Sequence, residues 1–317
     1  MKISSKLLRG YLDRATKLAP LATAIVHPCD ADSLNAAIAA AKAGLIDPVL
    51  VGPPHRIHAV ATAAGLDIRR MRLVATEHSH AAAAKAVSLA RAGEVGALMK
   101  GSLHTDELVA AVVSTGDGLR TARRISHVFV MDVPLYPRQL LITDAAINIE
   151  PDLEAKADIV QNAIDLAHVL GIRKPRVAIL AAVETVSPRM RSTTDAAALC
   201  KMADRGQITG GVLDGPLAFD NAISLEAAAI KHIVSPVAGR ADILLVPDLE
   251  AGNMLEKQLH YFANAKSAGI VLGARVPVML NSRADSVESR VASCAIAVLL
   301  ANDRRRTPAP VVLKVDK

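Results

Sequence analysis

The sequence predicts an α/β protein in which mainly parallel sheets are flanked by helices, and three observations support this prediction. Short runs of Val, Ile and Leu, bounded by Gly, Pro or Asp, recur along the chain, as is typical of strands buried on both faces. Stretches with apolar residues at helical spacing separate most of these runs. Apolar residues make up 51% of the 317 residues and aromatic residues only 2%, so Ala, Val, Leu and Ile must form the core, which suits helices packed on a parallel sheet.

The predicted strands and helices alternate along the chain. In chain order, the predicted strands are residues 24–26, 48–51, 97–99, 127–131, 140–143, 177–180, 211–213, 243–246, 269–272 and 276–280. The clearest predicted helices are residues 32–43, 80–92, 153–170 and 285–300. Polar residues typical of helix N-termini stand at Asp32-Ser33, Thr105-Asp106 and Thr194-Asp195. This alternation implies right-handed crossovers and a mainly parallel sheet.

Composition narrows the class of protein. The first twenty residues carry several Lys and Arg and no apolar stretch typical of a signal peptide, and the apolar runs are far shorter than the roughly 20 residues of a membrane span. We therefore expect a cytoplasmic protein without a membrane segment. The three cysteines, Cys29, Cys200 and Cys294, are widely spaced, which predicts reduced thiols rather than disulfides or a metal site.

The net charge of +6 has two interpretations, anionic substrates or a solvated basic surface. Nucleic acid is not expected as a partner, because the basic residues are scattered and aromatic residues for base stacking are scarce. The chain has no P-loop, no dinucleotide-binding fingerprint and no HExxH or paired-His spacing, so these sites and a bound metal are not expected.

Four loops after predicted strands hold candidate ligand-binding residues, because ligands in α/β sheets bind at the carboxyl ends of strands. In the first, Lys100-Gly101 and His104 precede the helix start predicted at Thr105-Asp106 and could bind an anion, although a Lys at a strand end beside a Gly turn is the alternative. The second contains Asp214 in Asp-Gly-Pro, which is also a common turn. The third contains Asn253 at a helix entrance, where it could equally be a cap.

The fourth loop delivers Ser282 and Arg283 next to each other, just before a helix that is predicted to begin near Asp285. A guanidinium group offers a planar fork for phosphate oxygens, and the helix start adds unpaired N–H donors. Glu288 in the following turn is equally compatible with ordinary stabilisation of a helix N-terminus.

From about residue 96 to the helix that contains Cys294, the chain resembles the phosphate acetyl/butyryl transferase family, most closely its phosphate butyryltransferase-like branch. It is also similar to the transferase half of fused enoyl-CoA hydratase/phosphate acetyltransferase proteins, without room for the hydratase domain. The matching motifs are Leu98-Met99-Lys100-Gly101, Gly118-Leu119-Arg120-Thr121, Ser126-His127-Val128, Ile142-Thr143-Asp144, residues 199–207 (LCKMADRGQ), 213–217 (LDGPL) and 247–253 (PDLEAGN), and Ser282-Arg283-Ala284-Asp285-Ser286.

The resemblance implies a two-domain fold similar to that of the isocitrate and isopropylmalate dehydrogenases. Residues 1–126 and 275–317 are expected to form a discontinuous first domain, and residues 127–274 a second domain that dimerises. The cleft between the domains is then the active site of a homodimer, with Ser282 and Arg283 as the catalytic pair. Together with the loops above, the resemblance assigns substrate binding to Lys100, Gly101, His104, Arg120, Asp144, Asp214, Asn253, Asp285 and Glu288.

The activity implied is reversible transfer of an acetyl, propionyl or butyryl group between coenzyme A and inorganic phosphate, through an acyl phosphate. Coenzyme A enters as a substrate, and no tightly bound cofactor is expected. The acetyl branch of the family has an Asp seven positions after the catalytic Ser, but this chain has Ser289 there, so Asp285 or Glu288 could replace that carboxylate. A non-catalytic sensor of acyl-CoA or acyl phosphate and a dehydrogenase on the related fold are the alternatives, and the motifs do not specify the acyl chain length.

Overall fold

A computed structural model describes residues 4–282 and 285–306 of the chain. In chain order, the helices are α1 Lys6–Ala15, α2 Ala31–Lys42, α3 Pro54–Ala63, α4 Ser79–Arg91, α5 Thr105–Val113, α6 Leu153–Leu170, α7 Arg191–Asp204, α8 Phe219–Ile223, α9 Leu225–Ile230, α10 Leu249–Phe262 and α11 Val287–Arg306. The strands are β1 Leu21–Val26, β2 Ile46–Gly52, β3 Arg72–Ala75, β4 Ala97–Lys100, β5 Ser126–Asp132, β6 Leu140–Thr143, β7 Arg176–Leu180, β8 Val212–Leu217, β9 Ile243–Leu245, β10 Lys266–Leu272 and β11 Val278–Met279.

All the described strands belong to one sheet, in the order β3-β2-β1-β4-β11-β10-β5-β6-β9-β7-β8. Neighbouring strands are parallel except around β5 and β10, where β5 pairs antiparallel with β6 and β10, and β10 pairs antiparallel with β11. The predicted α/β class with a mainly parallel sheet is confirmed. Short connections join β5 to β6 and β10 to β11, since antiparallel neighbours need no crossover helix, whereas β5 and β10 are far apart in the sequence.

The two faces of this sheet are packed differently. On one face, called face A here, a single apolar cluster runs across the width of the sheet and includes Met99, Val128 and Ile270 together with side chains of α2, α6 and α11. On the opposite face, face B, the apolar side chains form two separate clusters. One contains Leu98 and Leu280 with side chains of α4 and α5, and the other contains Phe129 and Ile142 with side chains near α8 and α9.

Three predicted helix starts differ from the structure. The N-cap of α2 is Asp30, whose carboxylate accepts a hydrogen bond from the backbone N–H of Ser33 at 2.7 Å, rather than Asp32. Helix α7 begins at Arg191, three residues before Thr194, and the N-cap of α5 is His104 without a side-chain cap bond. Several polar residues precede each helix, so the sequence leaves open which of them adopts the extended backbone of a cap.

Ser4 and Ser5, the two residues before α1, fasten the amino-terminal segment to the start of α11 and to the end of β5. The backbone N–H and hydroxyl of Ser4 both donate to a carboxylate oxygen of Glu288, at 2.6 and 2.9 Å. The hydroxyl of Ser5 donates to Asp132 at the end of β5, 2.5 Å away. Helices α1 and α11 therefore link the two ends of the chain on face A. Within the described part of the chain, no helix combines the length and apolar content needed to cross a bilayer.

Candidate active site

A cleft of about 310 Å³ opens on face B, where the two apolar clusters separate. Five segments far apart in the sequence supply its walls: the β4–α5 connection, β5, the β6–α6 loop, α10 and the loop after β11. The lining residues are Lys100, Leu103, His104, Thr105, Phe129, Ala146, Leu249, Asn253, Glu256, Lys257, Leu280, Asn281, Ser282 and Asp285. Five of the predicted site residues thus meet here: Lys100, His104, Asn253, Ser282 and Asp285.

The β4–α5 loop carries Lys100 and His104 into the cleft because it lies directly against the loop after β1. The backbone N–H of Gly101 donates to the carbonyl of Val26 at 2.9 Å, and that of Ser102 donates to the carbonyl of His27 at 3.0 Å. A Cβ atom on Gly101 would lie 2.4 Å from the Val26 oxygen, so this close approach requires glycine. Gly101, predicted as a binding residue, lies beside the cleft but not among its lining side chains.

The loop after β11 is held by its own polar groups. One carboxylate oxygen of Asp285 accepts hydrogen bonds from the backbone N–H of Ser282 at 2.8 Å and from the side-chain amide of Asn281 at 3.1 Å. The guanidinium of Arg290, which is 3% exposed, donates to the carbonyls of Ser282 at 3.0 Å and Asp285 at 3.4 Å. These contacts fix the backbone on both sides of Arg283, and Arg283 itself lies outside the described residues.

His127 supports the same loop from beneath. Its Nε2 lies 3.3 Å from the carbonyl oxygen of Leu280, and burial lowers the pKa of this imidazole to about 4. The ring is therefore neutral at physiological pH, and the contact requires the tautomer in which Nε2–H is the donor. A Cβ on Gly269 would lie 2.4 Å from the Leu280 oxygen and 2.9 Å from the His127 Nε2. Glycine at this position lets β10, β11 and the imidazole meet.

Helix α10 supplies the opposite wall through Asn253, Glu256 and Lys257. Burial raises the pKa of the Glu256 carboxyl, and the nearby negative charge of Asp285 raises it further, whereas Lys257 and a hydrogen bond with Ser267 lower it. Sequence reasoning identified Asn253 but missed the other two residues. Their spacing could have identified them, because positions three and four residues after Asn253 lie on the same helix face.

Phe129 and Asn281 were also missed. Phe129 belongs to a run of apolar residues in β5, and this pattern predicts a core residue. No feature of the sequence indicates that its side chain borders the cleft. Asn281 directly precedes Ser282, and its contact with Asp285 depends on the turn of the loop.

Two predicted carboxylates take part in local structure near the site. Asp144 is 2% exposed and accepts hydrogen bonds from the backbone N–H groups of Ala146, Ile147 and Asn148, so it shapes the β6–α6 loop beneath the cleft. Glu288 binds Ser4 and does not line the cleft.

The predicted residue Asp214 lies away from the cleft, and Ser289, at the position of the missing carboxylate, is buried. Asp214 lies on β8, the edge strand farthest from β11 on that side of the sheet, and accepts from the backbone N–H of Gly215 at 2.8 Å. Ser289 is 3% exposed, and its backbone N–H donates to the Ser286 hydroxyl at 3.2 Å. A hydroxyl at this position does not supply the proton acceptor that a carboxylate would.

Arg120 lines a second cavity of about 440 Å³ together with Arg123 and Arg124. The two cavities are close neighbours, since Ala146 lines the cleft and the next residues, Ile147 and Asn148, line the second cavity. Among the residues described, no group of three or more His, Cys, Asp or Glu side chains is placed to hold a metal ion.

Comparisons with known proteins point to one family. A family model described as phosphate acetyl/butaryl transferase matches residues 74–298. Phosphate acetyltransferase of Rhizobium meliloti is 64% identical over 287 residues, which cover 90% of this chain and 91% of that protein. Phosphate butyryltransferase of Clostridium acetobutylicum is 43% identical over 275 residues, which cover 87% of this chain and 91% of that protein.

A solved structure gives the same result. The crystal structure of a branched-chain phosphotransacylase from Enterococcus faecalis V583 superimposes with a TM-score of 0.77 at 31% identity, covering 89% of this chain and 99% of that one.

Proposed function

The chain belongs to the phosphate acetyl/butyryl transferase family, and on this premise we propose that it transfers a short acyl group reversibly between coenzyme A and inorganic phosphate. The observation that carries the proposal is the meeting of Lys100, His104, Asn253 and Ser282 in one cleft, although they come from distant parts of the sequence. Cations, hydroxyl and amide groups in one cleft suit a substrate that is both an anion and a carbonyl compound.

In the forward direction, the coenzyme A sulfur attacks the carbonyl carbon of an acyl phosphate, and the carbon–oxygen bond to phosphate breaks. The products are a thioester and inorganic phosphate, and the thiol proton passes to a base. No covalent bond to the enzyme forms in this reaction. The enzyme must therefore bind both substrates, promote loss of the thiol proton and stabilise negative charge on the carbonyl oxygen, for which a fixed donor typically contributes about 3–4 kcal/mol.

Arg283 and Ser282 have separate roles in this proposal. Arg283 binds the phosphoryl group and offsets its charge as the carbon–oxygen bond breaks, since a guanidinium matches two phosphate oxygens. Ser282 donates a hydrogen bond to the carbonyl oxygen or to the sulfur. Lys100 and Lys257, which line the same cleft, add positive charge for the phosphate. His104 at the start of α5 is a further phosphate ligand.

The proton acceptor is assigned to the pair Asp285 and Glu256. Both carboxyl groups line the cleft, and burial together with the charge on Asp285 raises the pKa of Glu256, so the Glu256 carboxylate binds a proton more tightly than a solvated carboxylate does. A free thiol has a pKa of about 8.5, and a base of raised pKa beside two lysines increases the share of thiolate at neutral pH. This pair takes the place of the Asp that Ser289 replaces.

The second cavity is assigned to the distal, phosphate-bearing part of coenzyme A. Arg120, Arg123 and Arg124 line it together with three carboxylates at the start of α6, and it adjoins the cleft across the β6–α6 loop. The arginines are the groups proposed to bind the phosphates. Coenzyme A leaves after each turnover, so it acts as a substrate, and the proposal includes no tightly bound cofactor.

The proposal includes two domains, one formed by residues 1–126 and 275–317 and the other by residues 127–274. The order of the strands supports this division, because all strands of the first domain lie on one side of β10.

The proposal also includes a homodimer. Apolar side chains on the outer face of α10, Met254, Tyr261 and Phe262, are exposed, and Phe262 is 90% exposed, as expected of a surface that a second copy covers. The cytoplasm is the proposed compartment, in keeping with three free cysteines.

The experiment is thioester formation from acetyl phosphate and coenzyme A, followed by absorbance, with acyl phosphate measured as the hydroxamate in reverse. Arg283→Ala is expected to lower kcat by at least about a hundredfold. Normal kcat with a raised phosphate KM would restrict Arg283 to binding. Binding of acyl-CoA without formation of any acyl phosphate would favour the sensor, and nicotinamide reduction without thioester formation would favour the dehydrogenase.

A further inference from the structure

The acyl group of the substrate needs apolar surface, and the cleft provides it on one side. Among the lining residues, the apolar side chains are Leu103, Phe129, Ala146, Leu249 and Leu280. The charged groups Lys100, Glu256, Lys257 and Asp285 supply the rest of the lining together with polar residues. An acyl chain attached to a carbonyl near Ser282 can therefore leave water only against these five apolar side chains.

The centre of this apolar side is a notch in the sheet. Phe129 of β5 pairs with Gly269 of β10, and the antiparallel register of Ile270 with Met279 brings Leu280 opposite Gly269 on the other side. Paired residues of neighbouring strands point to the same face of a sheet. The ring of Phe129 and the methyl groups of Leu280 therefore lie on either side of Gly269, which has no side chain to fill the space between them.

Phe129 fills the space beside Gly269 and packs against the side chains around it. Its ring meets the His127 ring edge to face, with the centroids 4.3 Å apart and an interplanar angle of 69°. Behind it lie Met131, Leu140 and Ile142 of the same apolar cluster. Only 9% of the residue is exposed, and it is the largest of the five apolar lining groups. Because the His127 imidazole is buried and neutral, this side of the cleft carries no charge.

We propose that Phe129 sets the length of the acyl chain and limits this enzyme to acetyl and propionyl groups. The inference rests on the proposed function. A two- or three-carbon acyl group ends in contact with the ring, whereas the further methylene of a butyryl group would need the space that the ring fills. Packed interiors tolerate such an addition poorly, and a methylene in an apolar pocket changes kcat/KM by roughly 10- to 200-fold.

The test compares kcat/KM for acetyl, propionyl and butyryl phosphate in the wild-type protein, Phe129→Leu and Phe129→Ala. The wild-type protein is expected to prefer acetyl over butyryl phosphate by at least about tenfold. Phe129→Ala should shift that ratio by at least about tenfold toward butyryl phosphate, mainly through a higher kcat/KM for butyryl phosphate. Phe129→Leu should shift the ratio in the same direction by a smaller factor. This variant serves as the test if Phe129→Ala does not fold.

Met131→Ala is the matched control. Met131 lies two residues along β5 in the same cluster, is fully buried and does not line the cleft. Its truncation should lower stability and leave the acetyl-to-butyryl ratio unchanged. A wild-type preference for butyryl phosphate, or an unchanged ratio in both folded Phe129 variants, would overturn the assignment of Phe129 while acyl transfer stands. Absence of thioester from every acyl phosphate would instead refute the proposed function.

Discussion

Replacing Gly101 with alanine tests whether the site depends on the contact between the loops after β1 and β4. The new Cβ would lie 2.4 Å from the Val26 oxygen and 2.7 Å from the His27 oxygen, both backbone atoms. Reaching ordinary contact requires the loops to separate by about 0.6–1.0 Å. The backbone bonds from Gly101 and Ser102, at 2.9 and 3.0 Å, then lengthen or break. With about 1 kcal/mol for each of the two bonds and about 1–3 kcal/mol for overpacking, the total loss is about 3–5 kcal/mol.

The assay has two readouts, urea unfolding and kcat for thioester formation. Displacement of Lys100 and His104 by nearly an ångström should lower kcat by about a hundredfold in the fraction that remains folded. Gly10→Ala is the control, because nothing lies within 4 Å of a Cβ there and the residue lies inside α1, where alanine should stabilise by about 1 kcal/mol. Unfolding and kcat of Gly101→Ala within experimental error of the wild type would refute the reasoning.

Three further substitutions have defined outcomes. Because burial raises the pKa of Glu256, the protonated carboxyl favours folding, and stability is lost as the pH rises through the pKa of the folded state. Glu256→Gln should therefore have a higher Tm than the wild type at pH 8 and an equal Tm near pH 4. Lys156→Met leaves the buried carboxylate of Asp195, 2.7 Å away, without its main partner and should cost about 3–5 kcal/mol in urea unfolding. Arg290→Ala releases the carbonyl of Ser282 and should lower kcat about a hundredfold, with partial recovery in Arg290→Lys, measured by steady-state kinetics.

Much of the fold could be predicted because its strands are buried on both faces and therefore appear as continuous apolar runs. Strand β3 was missed, since its residues are only partly buried and include Arg72 at the edge of the sheet. Helix α1 was also missed, and so was the hydrogen bond from Ser4, just before it, to Glu288, because the two residues are 284 positions apart in the sequence. The antiparallel direction of β5 and β10 could not be predicted either, because a continuous apolar run can occur in a parallel or an antiparallel pair.

The candidate site was predicted where a polar residue stands at the end of a strand or shortly after it, as Lys100 and Ser282 do. Asn253 was expected at a helix entrance, but it lies in the second turn of α10, whose N-cap is Asp248. The prediction of site residues was weaker where two residues of the same type have different roles that only the fold determines. Glu288 and Asp285 are equivalent in the sequence, but the structure uses the first to bind the amino-terminal segment and the second to line the cleft. Phe129 shows the opposite case, because a residue that reads as core borders an opening only when the packing of face B is known.

The difference between the two faces of the sheet has a mechanical consequence. Face A is packed without interruption from α2 to α6, so relative sliding of the two halves would break contacts along its whole width. On face B the two apolar clusters are separate, so the strands beneath the cleft have no continuous apolar layer over them. We expect a long nucleotide-bearing thiol to enter and leave on this face, where less packing has to give way.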